Sequence, residues 1–297
     1  MKLVIHMGLH KTGTTTFQNF LHLNKKALLD TGLIYPNIGG DEKSHWQIPH
    51  QLLRNNWGYL HEYMKMTLNI AKQQNANTVF ISSEDFETML IESYRAVEFE
   101  NLLFNIGFSE IHWECVLRNQ WDYFNSLYAE MSKHKICLNF ASAGEEIINF
   151  GEISMGNADF RFRFAFDYDS FIERFLKDIK GSFTAISFDD FIANDFIGKE
   201  LLNKHIDYEV ANKTFWESNL SVAENANIRG YNDTIEINYL ANFLGISITK
   251  KNFLFKKKPK KIFIPIIRKR QEMIDMAAKD LEHRFIERFP EISSMLK

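Results

Sequence analysis

The feature that most constrains the fold is a repeated alternation of short apolar segments with longer segments of helical periodicity. Five apolar segments have the length and composition of strands, at residues 2–8, 33–36, 78–85, 110–118 and 182–191. Helical patterns follow them at residues 14–32, 46–75, 92–107 and 119–134. Strands that alternate with helices form a parallel sheet with helices on both faces. The sequence therefore predicts a three-layer α/β/α fold around a central, mostly parallel sheet.

The sequence also predicts a single domain. The 297 residues are 45% hydrophobic and 25% charged, which is ordinary globular composition. No internal repeat or linker divides them. We expect an α/β core over about residues 1–200 and a mainly helical part over about residues 200–297, all within one domain spanning 1–297.

Charge and cysteine content restrict the partners and the compartment. A net charge of −3 is too small to indicate a nucleic-acid partner. Two cysteines are too few for a disulfide framework and suit a reducing compartment. The first apolar run is too short for a signal-peptide core, and no apolar stretch reaches the ~18 residues of a membrane span. We expect a cytoplasmic protein, and its oligomeric state is left open.

The first strand leads into a turn rich in glycine, threonine and lysine, within the stretch "HMGLHKTGTTTFQNFL". Gly8 and Gly13 have the glycine spacing of a Walker A loop, but the position of the Walker A lysine holds Thr14. The lysine is instead Lys11, inside the turn. The first amides of a helix are unpaired and its dipole favours negative charge there. The turn is therefore predicted to bind a phosphate or sulfate group.

The run "HKTGTT" resembles the 5′-phosphosulfate loop of sulfotransferases that use 3′-phosphoadenosine 5′-phosphosulfate (PAPS), typically Pro-Lys-(Ser/Gly/Thr)-Gly-Thr-Thr. His10 stands where proline is common, Thr12 where serine or glycine is common, and Thr16 where cytosolic members often have tryptophan. The run is most similar to bacterial carbohydrate-sulfotransferase-like proteins. The resemblance implies a P-loop NTPase-like sulfotransferase fold and donor binding by the loop residues His10, Lys11, Thr12, Gly13, Thr14, Thr15 and Thr16.

A second stretch, "VLRNQWDYFNSLYAEM", resembles the part of the same family that binds the 3′-phosphate. The family uses an arginine at a strand end and a serine eight residues later, and here these are Arg118 and Ser126. The planar guanidinium can bond two phosphate oxygens at once. The resemblance implies PAPS as donor, 3′,5′-adenosine bisphosphate (PAP) as product, and a reaction that requires no metal. The sequence also contains no Cys/His spacing typical of a metal site and no HExxH motif.

Candidate catalytic residues follow from the chemistry of sulfuryl transfer, in which charge develops on the leaving nucleotide. Lys11 is placed to stabilise that charge, as the family resemblance also implies. Glu84 ends the strand at 78–85 and is the candidate general base, as a glutamate at roughly this place is in glycan sulfotransferases. Asp85 and a histidine, His10 in particular, remain alternatives for the base.

The acceptor is predicted to be a carbohydrate, on a polysaccharide or glycolipid, whose identity and sulfated position the sequence leaves open. Residues 157–166 place arginines on one face and phenylalanines on the other. This alternation is typical of an amphipathic edge strand, and would equally suit the lining of an acidic-sugar site. The lysines of the segment Lys256–Lys261 form a solvated loop or, alternatively, a contact for an anionic membrane or an acidic glycan.

Two other functions stay open. A P-loop kinase or NTPase would need a lysine at position 14 and a Walker B aspartate, for which Asp189 or Asp190 are the candidates. A non-catalytic nucleotide-binding protein would keep the fold without turnover. Dependence on Mg²⁺ separates the kinase from the sulfotransferase, and turnover separates the binding protein from both.

Overall fold

A computed structural model describes residues 1–37, 43–133, 140–156, 161–193, 196–206, 276, 278–289 and 292. Its strands are β1 (Lys2–His6), β2 (Leu33–Ile34), β3 (Thr78–Ser82), β4 (Glu110–Leu117), β5 (Glu152–Gly156), β6 (Arg161–Ala165) and β7 (Ser182–Ser187). Its helices are α1 (Thr14–Leu23), α2 (Lys25–Asp30), α3 (Gln47–Leu53), α4 (Trp57–Gln73), α5 (Thr88–Ile91), α6 (Ser93–Ile106), α7 (Gln120–Lys133), α8 (Phe140–Phe150), α9 (Tyr168–Asp178), α10 (Phe188–Ile192) and α11 (Lys199–Leu202), with a 3₁₀ turn at Glu84–Glu87.

The central sheet has the strand order β2-β3-β1-β4-β7, and every neighbouring pair is parallel. This confirms the α/β class and the central parallel sheet predicted from the alternating segments. The chain runs from β1 outward to β2, and later crosses from β3 to β4 on the other side of β1. The order therefore reverses beside β1, and in such sheets the crevice at the carboxyl ends of the strands is where ligands bind.

Side chains of β1 alternate between the two faces of the sheet, as the two-residue period of a strand requires. Leu3 and Ile5 face a large apolar core that includes α3 to α6 and α9. Val4 faces a second core formed with α1, α2, α10 and α11. Helices thus cover both faces of the sheet. A strand that is buried on both sides needs apolar residues on both, which explains the apolar centre of the β1 sequence "KLVIH".

The last predicted strand is shorter than expected. The sequence predicted a strand over 182–191, but β7 ends at Ser187 and α10 begins at Phe188. Ser187 caps that helix, because its hydroxyl accepts a hydrogen bond from the Asp190 amide at 3.0 Å. The Asp190 carboxylate in turn accepts from the same hydroxyl at 2.6 Å, so this aspartate serves the helix start.

Beside the main sheet, β5 and β6 form a separate antiparallel pair. The amphipathic edge strand predicted within 157–166 is confirmed as β6. Phe164 is buried in the core, whereas Arg163 pairs with Glu92 and Glu152 on the other face. The sequence analysis did not identify the partner strand β5 or the helix α8 before it.

The mainly helical C-terminal part predicted over about residues 200–297 lies for the most part outside the described residues. Within it, α11 and residues 278–288 are helical, and Phe285 and Phe289 pack into the large core. The segment Lys256–Lys261 lies outside the described residues. Among the described helices, none is both long enough and apolar enough to cross a membrane.

Candidate active site

The loop between β1 and α1 is held in shape by its own side chains. The Thr12 hydroxyl donates to the Leu9 carbonyl at 2.5 Å, and the Thr14 hydroxyl lies 3.4 Å from the same oxygen. Both threonines are buried, whereas Thr15 is exposed and Thr16 is half-buried. The hydroxyls of Thr12 and Thr14 therefore stabilise the turn, and Thr15 and Thr16 are the threonines that face outward.

The first turn of α1 presents unpaired backbone donors. Gly13 precedes the helix with a φ of 78°, in the left-handed region that glycine adopts without strain. The first helical hydrogen bond runs from the Phe17 amide to the Gly13 carbonyl at 3.1 Å. Within the described residues, the amides of residues 14–16 donate to no carbonyl. These donors and the helix dipole together favour an anion at this position.

Arg118 brings the end of β4 against this loop. Its Nη1 donates to the Lys11 carbonyl at 2.7 Å, and its guanidinium lies 4.9 Å from the centre of the Phe188 ring. Burial lowers the pKa of Arg118, which nevertheless stays charged at neutral pH. Lys11 itself has a φ of 62°, which is uncommon for a residue with a side chain. The bond from Arg118 to its carbonyl helps to hold that conformation.

The face of α7 next to the loop carries Ser126 and Glu130. Lys11 Nζ lies 3.0 Å from a carboxylate oxygen of Glu130. Ser126 is one helical turn before Glu130 and so occupies the same face of α7. The two stretches that resemble the family's donor-binding motifs therefore meet at one edge of the sheet, with Glu130 beside the lysine.

Three carboxylates follow β3 in the 3₁₀ turn, and their environments differ. Ser83 caps this turn by accepting from the Asp85 amide at 3.2 Å. Glu84 is half-buried, and its carboxylate accepts from the Gln18 side chain at 3.2 Å. Glu87 is fully buried, so it contacts only other groups of the protein. Glu84 is therefore the member of this group most open to an external ligand.

His10 lies between two of these carboxylates. Its Nδ1 is 2.9 Å from Glu87, its backbone amide donates to Glu87 at 3.0 Å, and its Nε2 is 3.3 Å from Asp85. Burial opposes charge on the ring, but hydrogen bonds to Asp85 and Glu87 outweigh it and raise the pKa of His10 to about 10. Both ring nitrogens and the amide are thus bonded inside the protein, and His10 fixes the loop to the 3₁₀ turn.

Asp85 and Glu87 each hold further elements in place. Burial raises the pKa of Asp85, but hydrogen bonds from His10 and His50 outweigh it and bring that pKa to about 2. Glu87 also accepts from the Tyr123 hydroxyl and from the Ala165 amide, both at 2.8 Å. Through this carboxylate the loop, α7 and β6 are joined at one point.

Two residues of this site, Glu87 and Glu130, were not predicted from the sequence. Glu87 follows Glu84 by three residues in "EDFETML", and its position between Phe86 and Met89 in an apolar run was the available signal of a buried charge. Glu130 follows Ser126 by four residues, the spacing of neighbours on one helix face. Neither spacing alone shows that Lys11 or His10 is the partner, because those contacts join distant parts of the chain.

Comparisons with known proteins do not assign the chain to a family. No family model matches the chain, and no curated protein matches it. A solved structure of a sulfotransferase from Alicyclobacillus acidocaldarius matches with a TM-score of 0.38 and 13% sequence identity, over 99% of this chain and 98% of that chain. A TM-score this low establishes neither a shared fold nor a shared activity.

Proposed function

We propose that this protein is a sulfotransferase that moves a sulfuryl group from PAPS to a hydroxyl of a carbohydrate acceptor. The observation that carries the proposal is the hydrogen bond from Arg118 to the Lys11 carbonyl. Two stretches that separately resemble donor-binding motifs of one family are joined by this bond, at the crevice where open α/β sheets bind ligands.

The donor fits the groups at this edge. The free amides of residues 14–16 and the exposed Thr15 hydroxyl would bind the 5′-phosphosulfate, with Lys11 beside it. Arg118 would hold the 3′-phosphate together with Ser126, because only one of its five N–H donors is used by Lys11. His10 would act by fixing the loop.

In the transfer, the acceptor hydroxyl loses its proton to a base as its oxygen bonds to sulfur and the bond from sulfur to the 5′-phosphate oxygen breaks. Lys11 would balance the charge that develops on that phosphate oxygen. Glu84 is the proposed base, because among the described residues its carboxylate is contacted by the neutral amide of Gln18 and by no cation. His10 is protonated at neutral pH and Asp85 is held ionised by two histidines, so both are poorer proton acceptors.

A carbohydrate acceptor is supported by an exposed aromatic ring beside His50, the partner of Asp85. Trp46 is 39% exposed, and its ring lies 5.0 Å from that of His50, which bonds Asp85, the neighbour of Glu84 in the chain. An open indole face can pack against the apolar face of a sugar ring. The proposed acceptor is a hydroxyl of a polysaccharide or glycolipid.

The test is calorimetric binding of PAP, 5′-AMP and ATP without metal, to wild type and to Arg118→Ala. We expect PAP to bind best, and the variant to lose about 10- to 100-fold in PAP affinity with a clearly smaller loss for 5′-AMP, which lacks the 3′-phosphate and depends on Arg118 only through the Lys11 carbonyl. Arg174→Ala is the matched control, since Arg174 also donates to one carbonyl, that of Ile91, and lies over a ring, that of Phe171.

Equal or tighter binding of ATP, or a PAP preference that survives in Arg118→Ala, would refute the donor assignment and favour a kinase or NTPase. PAP release from PAPS in the presence of a polysaccharide panel then measures turnover. PAP binding without any such release on the panel would favour a non-catalytic binding protein.

A further inference from the structure

Two histidines and a glutamate form a buried cluster on the face of the sheet that α1 and α11 cover. His112 and Glu114 are two residues apart on β4 and so share that face, and His205 follows α11. One ligand atom from each lies within 4.8 Å of the other two. Along β4, at about 3.3 Å per residue, His112 lies about 20 Å and Glu114 about 13 Å from Arg118, so the cluster does not include the proposed donor-binding residues.

Within the described residues, this cluster leaves polar atoms without partners. The side chains of His112, Glu114 and His205 are 10%, 0% and 2% exposed. His112 Nε2, Glu114 Oε2 and His205 Nδ1 are buried and make no hydrogen bond there. A buried polar atom without a partner is costly, so native proteins rarely retain one unless a ligand or water meets it.

Two other fully buried carboxylates of this protein serve for comparison, because each accepts several hydrogen bonds. Glu87 accepts from His10, Tyr123 and Ala165. Glu100 accepts from the Trp113 indole and from the amides of residues 180 and 181. Glu114 differs, because the polar partners of its side chain in the described part of the chain are imidazole rings and one of its oxygens has no donor.

We propose that His112, Glu114 and His205 bind one divalent transition-metal ion of the zinc type. Ser182 Oγ lies 2.6 Å from His112 Nδ1, which leaves Nε2 directed towards Glu114 Oε1 at 3.8 Å. His205 Nε2 contacts the same carboxylate oxygen. A ligating histidine usually has an outer hydrogen-bond partner on one ring nitrogen and the metal on the other, and His112 has this arrangement, with Ser182 on Nδ1 and no partner on Nε2.

The donor set selects the class of metal. Two imidazole nitrogens and one carboxylate suit zinc and its neighbours, whereas magnesium and calcium prefer oxygen ligands alone. Ligand atoms around tetrahedral zinc are about 3.3 Å apart, so His112 Nε2 would move slightly towards Glu114, and His205 Nε2, which now contacts Glu114 directly, would move away to admit an ion. The fourth position is left to water or another donor.

The ion would stabilise the support of the candidate active-site helix. Gly198 and α11 pack against α1, since a methyl group added at Gly198 would meet the Phe17 ring at 2.3 Å. His205 lies just beyond α11, and a bond from His205 through the ion to β4 would fasten this segment to the sheet. The proposed site is therefore structural, and it is independent of the donor and acceptor assigned above.

The test uses the full chain stripped of metal with a chelator and then titrated with Zn²⁺, Co²⁺ or Mg²⁺. We expect one zinc ion retained per chain after dialysis, a Tm higher by about 5 °C at saturating zinc, and the visible absorption of tetrahedral Co²⁺. Mg²⁺ should do none of this. His205→Gln and Glu114→Gln should each weaken zinc binding by at least about 100-fold.

His61→Gln, at an exposed histidine, and His50→Gln, at the histidine bonded to Asp85, are the controls and should bind zinc as wild type does. The proposal is overturned if the wild type binds no zinc, if both cluster variants keep it, or if His50→Gln loses it. Should Glu114→Gln fail to fold, His205→Gln and the Co²⁺ spectrum of the wild type decide the question.

Discussion

Replacing Glu87 with glutamine should destabilise the protein strongly, because this carboxylate joins the loop between β1 and α1 to α7 and β6. Glutamine has nearly the same shape but no charge, and its amide group would face the donors of His10, Tyr123 and Ala165. Among the described residues, Asp85 would then be the carboxylate left to pair with the protonated ring of His10. The change therefore tests the charge and the hydrogen bonds without leaving a cavity.

The magnitude follows from two separate lines of reasoning. The pKa of His10 is raised from its usual 6.5 to about 10, and at about 1.4 kcal/mol per pKa unit this corresponds to an upper limit of about 5 kcal/mol. Removing one partner of a buried ion pair typically costs about 3–5 kcal/mol. We therefore expect Glu87→Gln to lower the free energy of unfolding by about 3–5 kcal/mol near neutral pH.

The pH dependence gives the prediction a second readout. Because the pKa of His10 is higher in the folded state, its contribution to stability is complete below about pH 6.5 and is lost as the pH rises towards 10. Glu87→Gln removes one of the two carboxylates that raise this pKa. The stability difference between wild type and variant should therefore shrink between about pH 7 and pH 10.

The assay is urea unfolding followed by tryptophan fluorescence, at several pH values in that range. Glu62→Gln, at an exposed carboxylate, is the matched control and should change stability by less than about 0.5 kcal/mol. The reasoning is refuted if Glu87→Gln is as stable as the control, or if its deficit does not change with pH.

Three further changes test the candidate active site. Glu130→Gln should strengthen PAP binding about 3- to 10-fold, because it frees Lys11 and removes a negative charge beside the proposed anion site. Glu84→Gln should lower kcat about 10²- to 10⁴-fold and leave the calorimetric Kd for PAP unchanged. Gly13→Ala should cost about 1–2 kcal/mol of stability, because its φ is positive and the new methyl group would lie 2.9 Å from Ile197.

Each of these has a result that would count against it. Weaker PAP binding in Glu130→Gln would mean that Glu130 positions Lys11 and does not compete with the ligand. Undiminished kcat in Glu84→Gln, with loss in Asp85→Asn at equal stability, would move the base to Asp85. An unchanged urea midpoint for Gly13→Ala would show that the loop has another accessible conformation.

The sequence by itself determined the class of fold and the position of the glycine-containing loop between β1 and α1. Both depend on local information: the two-residue and 3.6-residue periods of strand and helix, and the glycine that allows a positive φ before α1. The edge strand β6 could be predicted from the sequence for the same reason. The extent of β7 was not, because the start of α10 depends on whether the Ser187 hydroxyl caps it.

Only the tertiary structure decided which side chains meet. Arg118 reaches the Lys11 carbonyl across 107 positions of sequence, and His10 reaches Glu87 across 77. These contacts depend on strand order and register, and a local pattern encodes neither. The same reason hid His112, Glu114 and His205, which carry no recognisable metal-binding spacing and come together because α11 packs over β4. Local periodicity thus determined most of the helices and strands, and long-range packing determined which polar and charged side chains come together.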